Sequence, residues 1–174
     1  MPANDHDFIQ KMHRDHESLL RMIDRIVDMC DRQGVADQCK GCDSGRRVVC
    51  GGNIEQSIRL FVESTLMHNL LESALMKDHV PHDHRVAHQR AHIDLAEQLK
   101  GIRTVFGRDG NGIVAIHGID RVRDALVRHI EEFDVVLEQF LASATLDPLD
   151  PAARGRPAVD GMIGYRAGGT GFLS

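Results

Sequence analysis

The sequence predicts an all-α protein, an antiparallel up-and-down four-helix bundle, and three observations carry that expectation. Four stretches repeat apolar residues at alternating steps of three and four, the period of one helix face. No stretch alternates apolar and polar residues at a period of two, so no strand competes. The connections between the stretches are mostly short, which sets consecutive helices side by side and antiparallel.

The first helix is expected from about residue 5 to 32, with Ile9, Met12, His16, Leu19, Ile23, Ile26 and Cys30 in one register. His16 takes a slot that would suit Leu or Ile, whereas His6 and His13 lie outside the register. Between Gly34 and Asn53 the periodicity stops. The second helix is expected from about Asn53 to His79, with Asn53 as N-cap and Gln56 completing a capping box. Its seam is Ile54, Ile58, Phe61, Thr65, His68, Glu72, Leu75 and His79. Pro81 ends it, and the segment VPHDH reads as the turn.

The third helix is expected from about Asp83 to Gly107, with His88, His92, Leu95, Leu99, Ile102 and Phe106 on its face. The segment RDGNG then reads as a loop. The fourth helix is expected from about Ile113 to Ala144, through Ile119, Val122, Leu126, His129, Phe133, Val136 and Phe140. Residues 1–146 would thus form one bundle with an insert at about 30–53. Residues 147–174, rich in Gly and Pro, read as an irregular tail.

Composition narrows the function classes. Among 174 residues, 21 basic against 26 acidic side chains leave a net charge of -5, with no basic footprint for nucleic acid. No secretory apolar region follows Met1 and no apolar run is long enough for a membrane, so a cytoplasmic protein is expected. There, the four cysteines are expected as thiols, metal ligands or a redox switch rather than structural disulfides.

The unusual entries are eleven histidines. His68 with Glu72, and His88 with His92, are four residues apart, so each pair leaves one helix face one turn apart. In all four helices the apolar register also selects histidine. Five imidazoles converging on one layer are hard to satisfy by hydrogen bonds, but metal ligation satisfies them together. His16, His68, His88, His92 and His129 supply five nitrogens, and Glu72 is in register. Asp134 follows His129 by five residues, about 140° round an α-helix, and would reach the site from the flank. Seven ligands suit two ions. With both carboxylates bridging, the protein fills about nine of twelve octahedral positions, and a bridging hydroxide or oxide leaves about one open. His13, His79 and His117 read as ordinary core or surface histidines.

In this order, His16, then HNLLE, then HQRAH, then HIEEFD, the chain resembles the hemerythrin family over about residues 12–141. The resemblance implies two iron ions with a bridging oxo or hydroxo group. It implies His88, His92 and His129 on one iron, His16 and His68 on the other, and Glu72 and Asp134 bridging. It further implies reversible O2 binding at the two-histidine iron, in an apolar pocket for which Leu19, Leu20, Met76 and Phe133 are the candidates. Five neutral imidazoles and only two carboxylates are less electron-donating than a carboxylate-rich di-iron site, a balance that favours reversible O2 binding over O–O cleavage. Departures from the family are the missing aromatic N-terminal arm, the absence of Trp, the cysteine-bearing connection and the tail.

Cys30, Cys39, Cys42 and Cys50 have a spacing that would allow a four-cysteine zinc site, reversible disulfides or ordinary thiols. The expected function is therefore a di-iron carrier, store or sensor of O2 or a related diatomic. The alternative is a di-iron enzyme or redox regulator handling peroxide or nitric oxide. A protein partner would meet it through the cysteine insert or the tail.

Overall fold

The computed structural model describes residues 5–30 and 39–146; the tail read at 147–174 lies outside the described residues. Among them the chain is wholly helical. Helix α1 (Asp5–Val27) is followed by a short 3-10 turn at Cys39–Gly41, then by α2 (Ser44–His79) and α3 (His82–Asp109). The fourth rod is composite, with α4 (Gly112–His129), a π turn (Ile130–Asp134) and α5 (Val135–Leu146). α1 packs on α2 and α4, and α3 packs on the same two, so the helices form a ring of four around one core. No described helix is long and apolar enough to cross a membrane.

Two apolar clusters hold the ring together. One contains Leu19, Ile23, Phe61, Leu99, Ile116 and Leu126, and the other Met12, Leu75, Met76, Leu137 and Leu141. Each fully buried side chain of this kind contributes about 1.5–3 kcal/mol relative to exposure. Buried His16, Thr65, His68, Glu72, His129 and Asp134 lie between the clusters along their helices. Those polar side chains cost free energy to bury unless partnered, so the apolar clusters on either side must support them.

The expected seams of α1, α2 and α3 are buried residue by residue, except that Ile9, Cys30, His79, Ile102 and Phe106 are only partly buried. Several boundaries differ. α1 ends at Val27, not near Arg32. α2 begins at Ser44, so Asn53 is not its N-cap and Cys50 is helical. Asp43 is the cap, its carboxylate accepting from the Arg46 N–H at 2.9 Å. Gly51 and Gly52 lie inside the helix, because a glycine costs only about 1 kcal/mol there and the Asp43 cap decides the start. The α2–α3 connection is only Val80–Pro81, so His82, Asp83 and His84 belong to α3 rather than to a turn.

The α3–α4 corner is built by Gly110 and Asn111. Gly110 has φ 59°, a left-handed conformation that suits glycine, and donates its N–H to the Phe106 carbonyl at 2.7 Å. The Asn111 side chain then caps α4, accepting from the N–H groups of Ile113 and Val114 at 3.2 and 3.4 Å. A Cβ on Gly112 would stand 2.7 Å from Ile54 Cδ1, so a larger residue there would push α4 away from α2.

The largest correction concerns the fourth rod. Its expected seam continued through Phe133, Val136 and Phe140, but the buried positions are Asp134, Leu137 and Leu141. The whole set is displaced by one residue. The π turn is the cause: Val135 N–H bonds to the Ile130 carbonyl five residues back, so one extra residue is absorbed in the turn. Beyond it the α period resumes with a shifted register.

Candidate metal centre

All five predicted histidines and both carboxylates meet in the polar layer. α1 contributes His16, α2 contributes His68 and Glu72, α3 contributes His88 and His92, and α4 with its π turn contributes His129 and Asp134. Glu72, His88 and Asp134 have no exposed surface. Among the described residues, two groups have ligand atoms all within 4.8 Å of one another. One is Glu72, His88, His92, His129 and Asp134; the other is His16, His68, Glu72 and Asp134.

Each carboxylate divides its two oxygens between these groups. Glu72 Oε1 lies 3.1 Å from His68 Nε2 and 3.8 Å from His16 Nε2. Its Oε2 accepts from His92 Nε2 at 2.9 Å and lies 3.4 Å from His88 Nε2. Asp134 Oδ2 stands 3.0 Å from His16 Nε2, while Oδ1 stands 2.9 Å from His88 and 3.2 Å from His129. The nitrogens also face one another: His16 and His68 are 3.0 Å apart through Nε2, and His88 and His129 are 3.1 Å apart. In every one of these contacts the imidazole uses Nε2.

That convergence leaves polar atoms without partners. Glu72 Oε1 and both Asp134 oxygens are buried without a hydrogen bond of good direction, as are Nδ1 of His68, His88, His92 and His129. Two imidazole nitrogens in contact need one proton between them, and unpaired buried oxygens are costly. Ions placed among the five nitrogens would use the inward lone pairs of nitrogens and oxygens alike, so the residues fit a pair of metal ions.

The electrostatics follow from the same geometry. Burial opposes ionisation of Glu72, but contacts to His16, His68, His88 and His92 outweigh it and hold the carboxyl well below its usual range. Asp134 is also held below its usual range, since His129, His16 and His88 outweigh its burial. Conversely, burial would lower His16 and His88, yet the facing carboxylates of Asp134 and Glu72 raise both to about 9. His92 is lowered, because burial and the neighbouring His129 and His88 outweigh Glu72.

Asp134 corrects the expectation of a flank approach. In an α-helix the fifth residue after His129 would point aside, but the wider turn returns it over His129 and into the centre. His13 is half exposed and paired with Glu138 at 2.7 Å, so the first-helix member of the layer is His16. Of the pocket candidates, Leu19 and Met76 are fully buried in the two flanking clusters, and Leu20 packs partly buried against the first. Phe133 lies against the other face, its ring 5.3 and 5.5 Å from those of His88 and His129, beside the three-histidine group.

Two further residues were missed in the sequence. His84 stands one turn before His88 on α3, its ring edge-on to that of His88 at 5.5 Å and packed against Phe133 and Phe140. Burial and His88 lower its pKa. Extending the four-residue step backwards, His84–His88–His92, would have found it, had VPHDH not been assigned to a turn. Asp15 Oδ2 lies 3.8 Å from His68 Nδ1, on the far side of that ring from the layer. A spacing of one residue from His16 carries no signal for it.

The four cysteines are free and partly buried, and they lie in a separate region of the fold. The chain matches no family model, and neither a curated protein nor a solved structure matches it.

Proposed function

We propose that the two groups hold a pair of iron ions and that the protein binds O2 reversibly, as a carrier, store or sensor. The observation that carries this reading is the division of the oxygens of Glu72 and Asp134 between two histidine sets, which is the arrangement of bridging ligands. The order of the ligands along the chain, which resembles the hemerythrins, supports the choice of metal and ligand. A group of five donors exceeds the four that zinc takes in a structural site and suits an ion that prefers six. The four-donor group around His16 and His68 leaves more of its ion free for a small molecule.

Held by these residues, a reduced iron pair would supply the two electrons that O2 takes up on binding and returns on release. The protein's part is to keep the imidazoles neutral, aimed and dry. Asp15 Oδ2 stands behind His68, 3.8 Å from Nδ1 and beyond direct hydrogen-bond distance, so its negative charge faces the side of the ring away from the layer. Leu19 on one side and Met12 and Met76 on the other exclude water and anions from the layer. A surface hollow of about 550 Å³, lined by Asp15, Leu19, His68 and Leu71, reaches the two-histidine side and offers a route for a diatomic.

The test is to load the full chain with iron anaerobically, admit O2 and follow the visible spectrum. A charge-transfer band that disappears on degassing is expected, with two irons per chain. His92→Ala should lower that count. Full iron loading without a band would exclude reversible O2 binding, and an unchanged count in the variant would refute the ligand assignment. Irreversible bleaching with repeated consumption of peroxide would instead make the protein an enzyme.

A further inference from the structure

The thiols form a second cluster, independent of the imidazole layer. Cys50 and His68 are both on α2 and 18 residues apart, about 27 Å along the helix axis. Cys30 follows the end of α1, Cys39 and Cys42 bracket the 3-10 turn, and Cys50 lies on the first turns of α2. All four line one cavity of about 580 Å³ at this end of the bundle, backed by Met29, Ile54 and Ile113.

Several features make this cavity a site for a cation that prefers sulfur. Cys42 donates its N–H to the Cys39 carbonyl at 3.1 Å, closing a turn in which residues three apart eclipse, so both thiols leave on one side. The Cys39 thiol also meets Asn111 Oδ1 at 3.7 Å, which ties the turn to the cap of α4. Four thiols lining one cavity match the number of sulfurs that one zinc-class ion takes in a closed site. Arg46 and Arg47 stand at the cavity wall, where they offset the charge such a complex carries.

We propose that Cys30, Cys39, Cys42 and Cys50 bind one zinc-class divalent ion as four thiolates, clamping the α1–α2 connection to the end of the bundle. Binding releases four S–H protons to solvent and leaves a complex of net charge about -2. No electron moves. The four sulfurs are not all within 4.8 Å of one another, unlike the ligand atoms of the imidazole groups. Zinc–sulfur bonds of about 2.3 Å therefore draw the Cys39–Cys42 turn into the cavity.

Cobalt(II) is the probe, because thiolate–cobalt charge transfer distinguishes sulfur ligands from the imidazoles and carboxylates of the other centre. Cobalt added to the reduced, iron-loaded full chain should give that band at one equivalent, and zinc should displace it. Cys42→Ser and Cys50→Ser should each abolish the band while leaving the iron content unchanged. Should a variant fail to fold, alkylation of the wild-type protein decides: zinc should protect all four thiols, and a chelator should expose them. No band at one equivalent, free alkylation in the presence of zinc, or two disulfides in a protein whose reduced form takes up no cobalt would each overturn the proposal. Because the readout is sulfur-specific, it stands or fails separately from the di-iron reading.

Discussion

Glu72 and Asp134 remain ionised without any exposed surface because imidazoles surround them, and this couples the charge of the layer to pH. In the metal-free protein His16 and His88 titrate near 9, against an ordinary value of 6.5. A raised pKa contributes stability that is fully present below the unfolded value and is lost as pH rises through the folded one. The carboxylates act in the opposite sense, contributing above their ordinary range and losing that contribution in acid. The metal-free protein should therefore lose thermal stability as pH rises from about 6.5 to about 9.5. Iron-loaded protein should lose much less, since bound imidazoles are already neutral. Calorimetry over that range checks both, and a metal-free Tm that stayed level or rose would contradict the pairing of His16 and His88 with the carboxylates. Five histidine positions were legible in the sequence because each sat in an apolar register. Asp15 was not, since a place beside His16 in the chain carries no periodic signal, and the four-residue step that marks His84 was cut off by assigning VPHDH to a turn.

At the scale of the element, the π turn decides whether the fourth rod can complete the layer. One surplus residue between His129 and Asp134 is stored there, and the buried positions Leu137 and Leu141 follow from it. Deleting the exposed Glu132 removes that residue and sets the carboxylate four places after His129, the spacing that an uninterrupted α-helix brings to one face. The deletion variant should keep two metal ions per chain and its helical content. Deleting both Glu131 and Glu132 should lose metal, because the seam of Leu137 and Leu141 then turns about 100° away from the core and the rod can no longer seat both its seam and its carboxylate. Metal analysis with circular dichroism separates the cases; loss of metal in the single deletion would show that the turn does more than absorb a residue. The sequence could not reveal this element, since a helix of either kind has the same composition and only the Val135–Ile130 bond distinguishes them.

For the whole molecule, the centre and the fold depend on each other. The apolar clusters on either side supply the burial energy, and the polar layer between them weakens the core until its atoms find partners. An ion held only by the folded state at a hundred times its dissociation constant adds about 2.7 kcal/mol. For a domain of this size that corresponds to roughly 5–11 °C in Tm. Chelation should lower the midpoint by that order, and readdition of iron should restore it; an unchanged midpoint would mean that the layer is satisfied without metal. The sequence by itself determined the number of helices, most of their buried faces and the histidines that share one layer. Helical periodicity is local, and an imidazole in an apolar register has few inexpensive ways to be buried. Tertiary structure alone decided where α2 begins, how Asp134 enters the centre and how Glu72 and Asp134 divide their oxygens between two groups. Those outcomes depend on packing between helices, which sets a cap against two glycines, a widened turn against a regular one, and the direction of each carboxylate.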